Sequence, residues 1–579
     1  MNNNWRGLIS KPQFGIREER DIRVAMRDGV HLAVDVFRPD APGKFPALLA
    51  IGGYGKDQVE MPFPPQPLSK SAVWDGNLEC GDVQDFAPRG YVHIVCDVRG
   101  IGHSEGEYIG GSPPQEARDG YDLVEWAARQ PWCDGNIGML GYSYYGMMQL
   151  KTAIQQPPHL KAIFVSHVTF DHYRGYAYNG GVLSLMGYGL WDGRHGTSGI
   201  APAKAVSEMV KTLPKEELER RCQELMNNPD IKYYPNLYHL LHYPQKNPWF
   251  FDMLLNQYDG PYWWERAIYP YYDKIQVPTY VIGKCAHAGG GYWEIYNGLK
   301  CPKKIFMKPT GPEERPWRED LELIIRWYDH WLKGIDTGIM DEPPIKLFVM
   351  GSNRYRYEKE WPLPGVDYTK CYLRRWEGLS FEPELYQPEP DCFLQQPLHL
   401  SNVRGSVKYI SPPLPADLEV IGATAFNFFA SLDTDDTNWI VKLSDLAPGG
   451  AESGLAKGYL KASHRALEAE KSRPYHPYHK HAGSDPVKPG AINEYNVDLG
   501  VVSNVFRAGH RIKLVIESLE SPRDPEFQIH YHPHLNSSRT TLHKIYRNRQ
   551  YQSHLVLPIV SGKESVEETL SDENFQGGV

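Results

Sequence analysis

The stretch Gly141-Tyr142-Ser143-Tyr144-Tyr145-Gly146 limits what this chain can fold into more than any other. A short apolar run, Asn136 to Leu140, enters it from the turn signal Cys133-Asp134-Gly135, and an unbroken helical pattern leaves it as far as Pro157-Pro158. A serine between glycines at a strand-to-helix junction predicts a nucleophile elbow. There Oγ stands above the sheet on a strained turn, and Gly141 and Gly146 remove side chains that would strike the neighbouring strand and helix. The helix N-terminus and the Tyr144 N–H then point where a substrate carbonyl would develop charge.

A sheet must be built around that elbow. Val24 to Pro39 reads as two strands joined at Asp28-Gly29, which opens the sheet antiparallel. Phe45 to Ile51 is a continuous apolar run ending in Gly52-Gly53-Tyr54-Gly55, as expected of a strand buried on both faces with a loop at its C-terminal end. Open α/β sheets place their ligands at that end. Tyr91 to Cys96 is a second such strand, and Ala117, Tyr121, Val124 and Ala128 recur at helical spacing after it. Strand, helix, strand, elbow and helix in this order predict a parallel α/β sheet with Ser143 on its active edge.

With 579 residues the chain exceeds one core, so two or three domains are expected. Its net charge of −9 is spread along the chain without a basic block, which argues against nucleic acid or an anionic membrane as partner. No apolar stretch resembles a signal peptide or a membrane span, so a cytoplasmic protein is expected. The eight cysteines form no C-x-x-C pair; free thiols are expected, with no metal or other cofactor. A small molecule is the expected substrate and partner, and a homodimer is the expectation for self-association.

Several motifs together resemble the cocaine-esterase and X-prolyl dipeptidyl-peptidase (CocE/NonD) type of serine hydrolase. They are Arg27-Asp28-Gly29, Asp97-Val98-Arg99-Gly100 with Ser104-Glu105-Gly106, Trp132 to Gly138, the elbow, and Trp327-Tyr328-Asp329-His330-Trp331-Leu332-Lys333-Gly334. The resemblance covers nearly the whole chain. It implies an α/β-hydrolase sheet with a helical cap insertion and a C-terminal all-β jelly roll. The expected boundaries are 1–160 and 266–340 for the hydrolase core, 161–265 for the cap, 341–560 for the jelly roll and 561–579 for a frayed tail. It also implies that Tyr54, after an early strand, completes the oxyanion hole with the Tyr144 N–H, a role its phenol O–H suits.

Two loops depart from that family. Past Val277 to Gly283, where the triad aspartate belongs, stands Lys284-Cys285-Ala286-His287; past Lys303 to Lys308, where the histidine belongs, stands Pro309 to Arg315 with Glu313 and Glu314. A triad is a set of roles recognised by geometry, so a swapped relay is open: His287 as base with Glu313, or Glu314, behind it. The alternative is that His287 packs under the cap and the glutamates cap the helix running from Asp320 to Gly334. His103 is a further histidine at this edge, more simply read as a solvated turn residue.

The cap carries Tyr233, Tyr234, Trp249, Phe250, Phe251, Tyr262, Trp263 and Trp264, most simply its own core, with some expected to line an acyl pocket. Beyond Pro343-Pro344, alternating strands at Ile345 to Val349, Phe426 and Phe428, Tyr495 to Leu499 and Ile512 to Ile516 predict the β-sandwich. Arg465 to Pro489 reads as a long surface loop. Asp433, Asp435 and Asp436 lack a calcium-binding spacing and read as an acidic turn. A serine hydrolase acting on an ester or amide is expected through Ser143. The alternatives are non-hydrolytic chemistry on the same fold, and a catalytically dead binding protein.

Overall fold

The computed structural model describes residues 3–57, 79–185, 204–285, 291–309, 316–386, 389–520, 534–561 and 566–569. The first sheet is built from β1 (Ile16–Ala25), β2 (His31–Pro39), β3 (Phe45–Gly52), β4 (Val92–Asp97), β5 (Cys133–Met139), β6 (Leu160–Ser166), β7 (Thr279–Lys284), β8 (Lys303–Lys308), β9 (Ile345–Val349) and β10 (Arg354–Glu358). In space the order is β1-β2-β4-β3-β5-β6-β7-β8-β9-β10, with Val566–Thr569 outermost. β1 with β2, and β2 with β4, are antiparallel, and β4 through β9 pair in parallel. The expected antiparallel opening is therefore present, and β3 lies between β4 and β5.

The sheet is covered on both faces, which is why β3 and β4 are apolar without alternation. On one face Leu49, Ile51 and Met139 pack against Leu123 and Val124 of α1 (Pro114–Ala128) and Met147 and Leu150 of α2 (Tyr144–Ile154). On the other, Leu48, Phe164 and Tyr280 pack against Ile324, Trp327 and Tyr328 of α3 (Pro316–Lys333). The polar atoms of α3 fasten it. The Trp327 indole donates to the Ile163 carbonyl at 3.1 Å, Tyr328 bonds the Met139 carbonyl, and Asp329 accepts from Ser10 and, at 2.6 Å, from the Tyr91 phenol.

Between β6 and β7 the chain forms the cap, whose helices include Glu208–Thr212, Lys215–Asn227, Pro235–His242 and Pro248–Leu255. Trp249, Phe250, Phe251 and Trp263 are buried in its core, whereas Tyr233 and Trp264 are exposed. The second sheet is centred on the long strands Leu418–Leu432 and Asn493–Phe506, and Phe426, Phe428, Tyr495, Val497 and Leu514 fill its core.

Three expectations are corrected. Ile345, Leu347 and Val349 belong to the first sheet, where β9 pairs with β8 in parallel, because an alternating run identifies a strand but not its neighbour. The frayed tail expected at 561–579 contains Val566–Thr569, antiparallel to Arg354–Tyr357 of β10. Residues 465–489 are more than a surface loop: His479 and His481 are buried, and His481 packs on Tyr173 of the cap with ring centroids 5.3 Å apart. The acidic turn is engaged by the protein itself. Asp433 accepts from Leu542 N–H, Asp435 pairs with Arg539, and Asp436 pairs with Lys461.

Candidate active site

The elbow has the backbone its sequence demands. Ser143 is left-handed in φ at 55° with ψ at −119°, strain of about 1–3 kcal/mol for a residue with a Cβ. Its N–H donates to the Ser166 carbonyl at 3.0 Å, and its own carbonyl accepts from the Met147 N–H at 2.8 Å. Glycine is required on both sides. Gly141 has φ of 142° and a Cβ there would overlap Cβ of Tyr145, while a Cβ on Gly146 would come 2.6 Å from the Ser166 carbonyl oxygen.

The Tyr54 hydroxyl lies 3.3 Å from Ser143 Oγ, with the Tyr144 backbone close to the phenol. One expected oxyanion donor, the Tyr54 phenol, thus stands against the expected nucleophile, Ser143. Burial, and then the nearby charge of Glu79, hold the Tyr54 phenol well above its ordinary pKa, against the bond to Ser143. Near neutral pH it keeps its proton and can donate.

The Tyr54 loop is anchored by Lys56, 1% exposed. Its N–H donates to Asp97 at 2.6 Å and its ammonium pairs with Asp21 at 2.8 Å, Asp35 at 3.1 Å and Asp57 at 2.8 Å. Asp35, 1% exposed, would be left under-compensated without that ammonium. Lys56→Met is expected to destabilise the fold by about 3 kcal/mol, the scale of a broken buried pair, and to lower turnover by loosening Tyr54. Urea unfolding checks the first effect, and Asp35→Asn in the same chain should recover part of it.

The remaining candidates divide. His287, Glu313 and Glu314 lie outside the described residues. His103 is exposed and bonds Asp21 at 2.7 Å. Three residues beside the elbow were not singled out from the sequence. Glu79 accepts the Tyr142 N–H on its carbonyl at 2.9 Å. His167 directly follows Ser166, with φ of 53°; its Nδ1 is 3.0 Å from Ser166 Oγ and its ring lies on Tyr142. Glu116 accepts the Tyr144 phenol at 2.7 Å. His167 leaves a strand at the catalytic edge, a position that could have flagged it; the two glutamates gave no local signal.

This strand order, with a strained serine elbow at the C-terminal end of β5 and a phenol against its Oγ, has the form of an α/β-hydrolase of the serine type. Residues 28–311 match the X-Pro dipeptidyl-peptidase (S15) family, and residues 337–556 match the X-Pro dipeptidyl-peptidase C-terminal non-catalytic domain. The chain belongs to the CocE/NonD and X-Pro dipeptidyl-peptidase family of serine hydrolases. It is 26% identical to a cocaine esterase from Rhodococcus sp. over 93% of this chain and 98% of that one. It is 22% identical to a putative Xaa-Pro dipeptidyl-peptidase of Bacillus anthracis over 85% of this chain and 80% of that one. Its fold matches a CocE/NonD family hydrolase from Staphylococcus aureus at a TM-score of 0.74 and 22% identity, covering 94% of both chains. Among the described residues no helix is long and apolar enough to cross a membrane.

Proposed function

We propose that the protein cleaves an ester or amide bond of a small molecule through an acyl-enzyme on Ser143. The observation that carries this is the Tyr54 phenol 3.3 Å from the Oγ of a strained elbow serine that opens a helix. In the reaction Oγ attacks the carbonyl carbon as a base removes its proton. Tyr54 and the Tyr144 N–H hold the oxyanion, the protonated base gives its proton to the leaving alcohol or amine, and water attacks the acyl-enzyme in the second half to release the acid and restore Oγ–H. The proposed base is His287 with Glu313 behind it, because β7 and β8 run parallel to β5 and their loops leave the same edge. Relatives named as an esterase and as a peptidase support either bond. The aromatic cap favours a bulky or aromatic acyl group.

A fluorophosphonate probe tests the reaction class: stoichiometric labelling at Ser143 is expected, and a protein that turns over substrate without labelling would belong to a different chemistry. The specific observation favouring that second reading, non-hydrolytic catalysis on the same fold, is that the hydrogen-bond partner of Ser143 Oγ among the described residues is a phenol. Tyr54→Phe should lower kcat/KM about a hundredfold with little change in KM, the scale of one lost oxyanion donor. Steady-state kinetics on a labelled-active preparation measures it.

A further inference from the structure

Tyr144 serves the site at both ends. Its N–H stands beside the nucleophile, while its phenol is buried under the loop carrying Tyr54, the two rings meeting edge to face at 6.1 Å. That loop lies against both rings: a Cβ on Gly53 would sit 3.4 Å from the Tyr144 ring and 3.8 Å from the Tyr108 ring. The Tyr144 hydroxyl donates to Glu116 Oε2 at 2.7 Å, near the Tyr108 phenol. Glu116, on the first turn of α1, is 2% exposed, and among the described residues it is in no ion pair. A carboxyl buried against a phenol instead of a cation is costly when ionised.

The charged groups around it are accounted for. On its own helix, Asp119 is held by Arg99 at 2.5 and 2.6 Å. From α2 comes Lys151, buried, whose ammonium donates to the Glu265 carbonyl at 3.2 Å. From the cap comes Arg266, fully buried, paired with Glu208 and, at 2.5 Å, with Glu265; buried His172 faces Lys151 and Arg266. Burial pushes Glu116 up to about 8, against the bond from Tyr144 and the charges of Lys151 and Arg266, and pushes Lys151 down to about 7.

Resting on the acyl-enzyme reading above, we propose that Glu116 is a positioning residue of the active site: through the Tyr144 phenol it fixes the residue that supplies the oxyanion N–H, and its protonated form keeps negative charge out of the region behind the oxyanion hole. The protons of Glu116 and Lys151 come off as those of a coupled pair. Each loss makes this region one unit more negative, so both steps weaken oxyanion stabilisation as pH rises. Across one phenol ring, at an effective dielectric constant of about 20, the loss is on the order of tenfold.

The test is the second-order rate of fluorophosphonate labelling at Ser143 from pH 5.5 to 10. The wild type should lose about tenfold on an alkaline limb centred near pH 8. Glu116→Gln keeps an acceptor but cannot ionise; it should cost a few-fold at pH 7 and shrink that limb to the Lys151 step alone. Glu116→Ala should cost about tenfold at pH 7 and shrink the limb in the same way, and Lys151→Met should shrink it by removing the Lys151 step. An unchanged limb in Glu116→Gln would overturn the proposal. Should that variant fail to fold, an undiminished limb in Glu116→Ala overturns it equally. Absence of labelling in the wild type would sink the acyl-enzyme reading itself, and the positioning role with it, so the two failures are told apart.

Discussion

Ser143→Ala is expected to abolish turnover and labelling while the protein stays folded. Alanine preserves the Cβ, the φ of 55° and the backbone bonds to Ser166 and Met147, so the elbow loses only Oγ. Without Oγ no acyl-enzyme can form, and what survives is the catalysis that oxyanion donors and binding give to attack by water. In serine hydrolases removal of the nucleophile costs about 10⁶-fold in kcat. A thermal unfolding curve matching the wild type, beside a rate near background, is the expected pair of results. Full activity in this variant would exclude the acyl-enzyme.

The second large effect concerns the proton on Oγ. A serine hydroxyl is a poor nucleophile at neutral pH without a base, and Tyr54, whose phenol is held above its ordinary range, cannot be that base. His287→Ala should therefore be nearly as damaging as Ser143→Ala, with the double variant little worse than either and Glu313→Gln losing less. His167→Ala is the comparison to run beside it, since the backbone brings that residue next to the elbow and Ser166 Oγ sits on its Nδ1. Loss in His287→Ala with a mild effect in His167→Ala supports the swapped relay. The reverse pattern would transfer the role to His167.

Much of this site could be read from the chain because its determinants are local. The elbow is written in six residues, since only glycine fits at Gly141, against Tyr145 four positions on, and at Gly146, against Ser166 of the next strand. The double-sided burial of β3 and β4 follows from unbroken apolar runs, and Phe426 and Phe428 alternate as a sandwich strand must. Glu116 illustrates the limit. At a helical position a glutamate reads as solvated, and only the packing of α1 against α2 under the Tyr54 loop turns it inward. Lys56 failed to register for the same reason, because its partners Asp21 and Asp35 are distant in sequence. Strand partners such as those of β9 and Val566–Thr569 depend on pairings across the chain that no local pattern encodes.

The pairing of Val566–Thr569 with β10 has a consequence for how the molecule can be divided. The chain leaves the catalytic sheet after β10, builds the whole sandwich, and then returns to add one more strand to the sheet it left. In chain order the sandwich is thus an insertion within the hydrolase. Cutting the polypeptide once, at any linker between the two, strips a strand from the catalytic half and bares the backbone donors and acceptors of β10, an open edge that invites pairing with other chains. A hydrolase-only fragment would have to carry its last strand back by a graft. Clipping of the final segment by a protease would be felt at the rim of the catalytic sheet before it was felt in the sandwich.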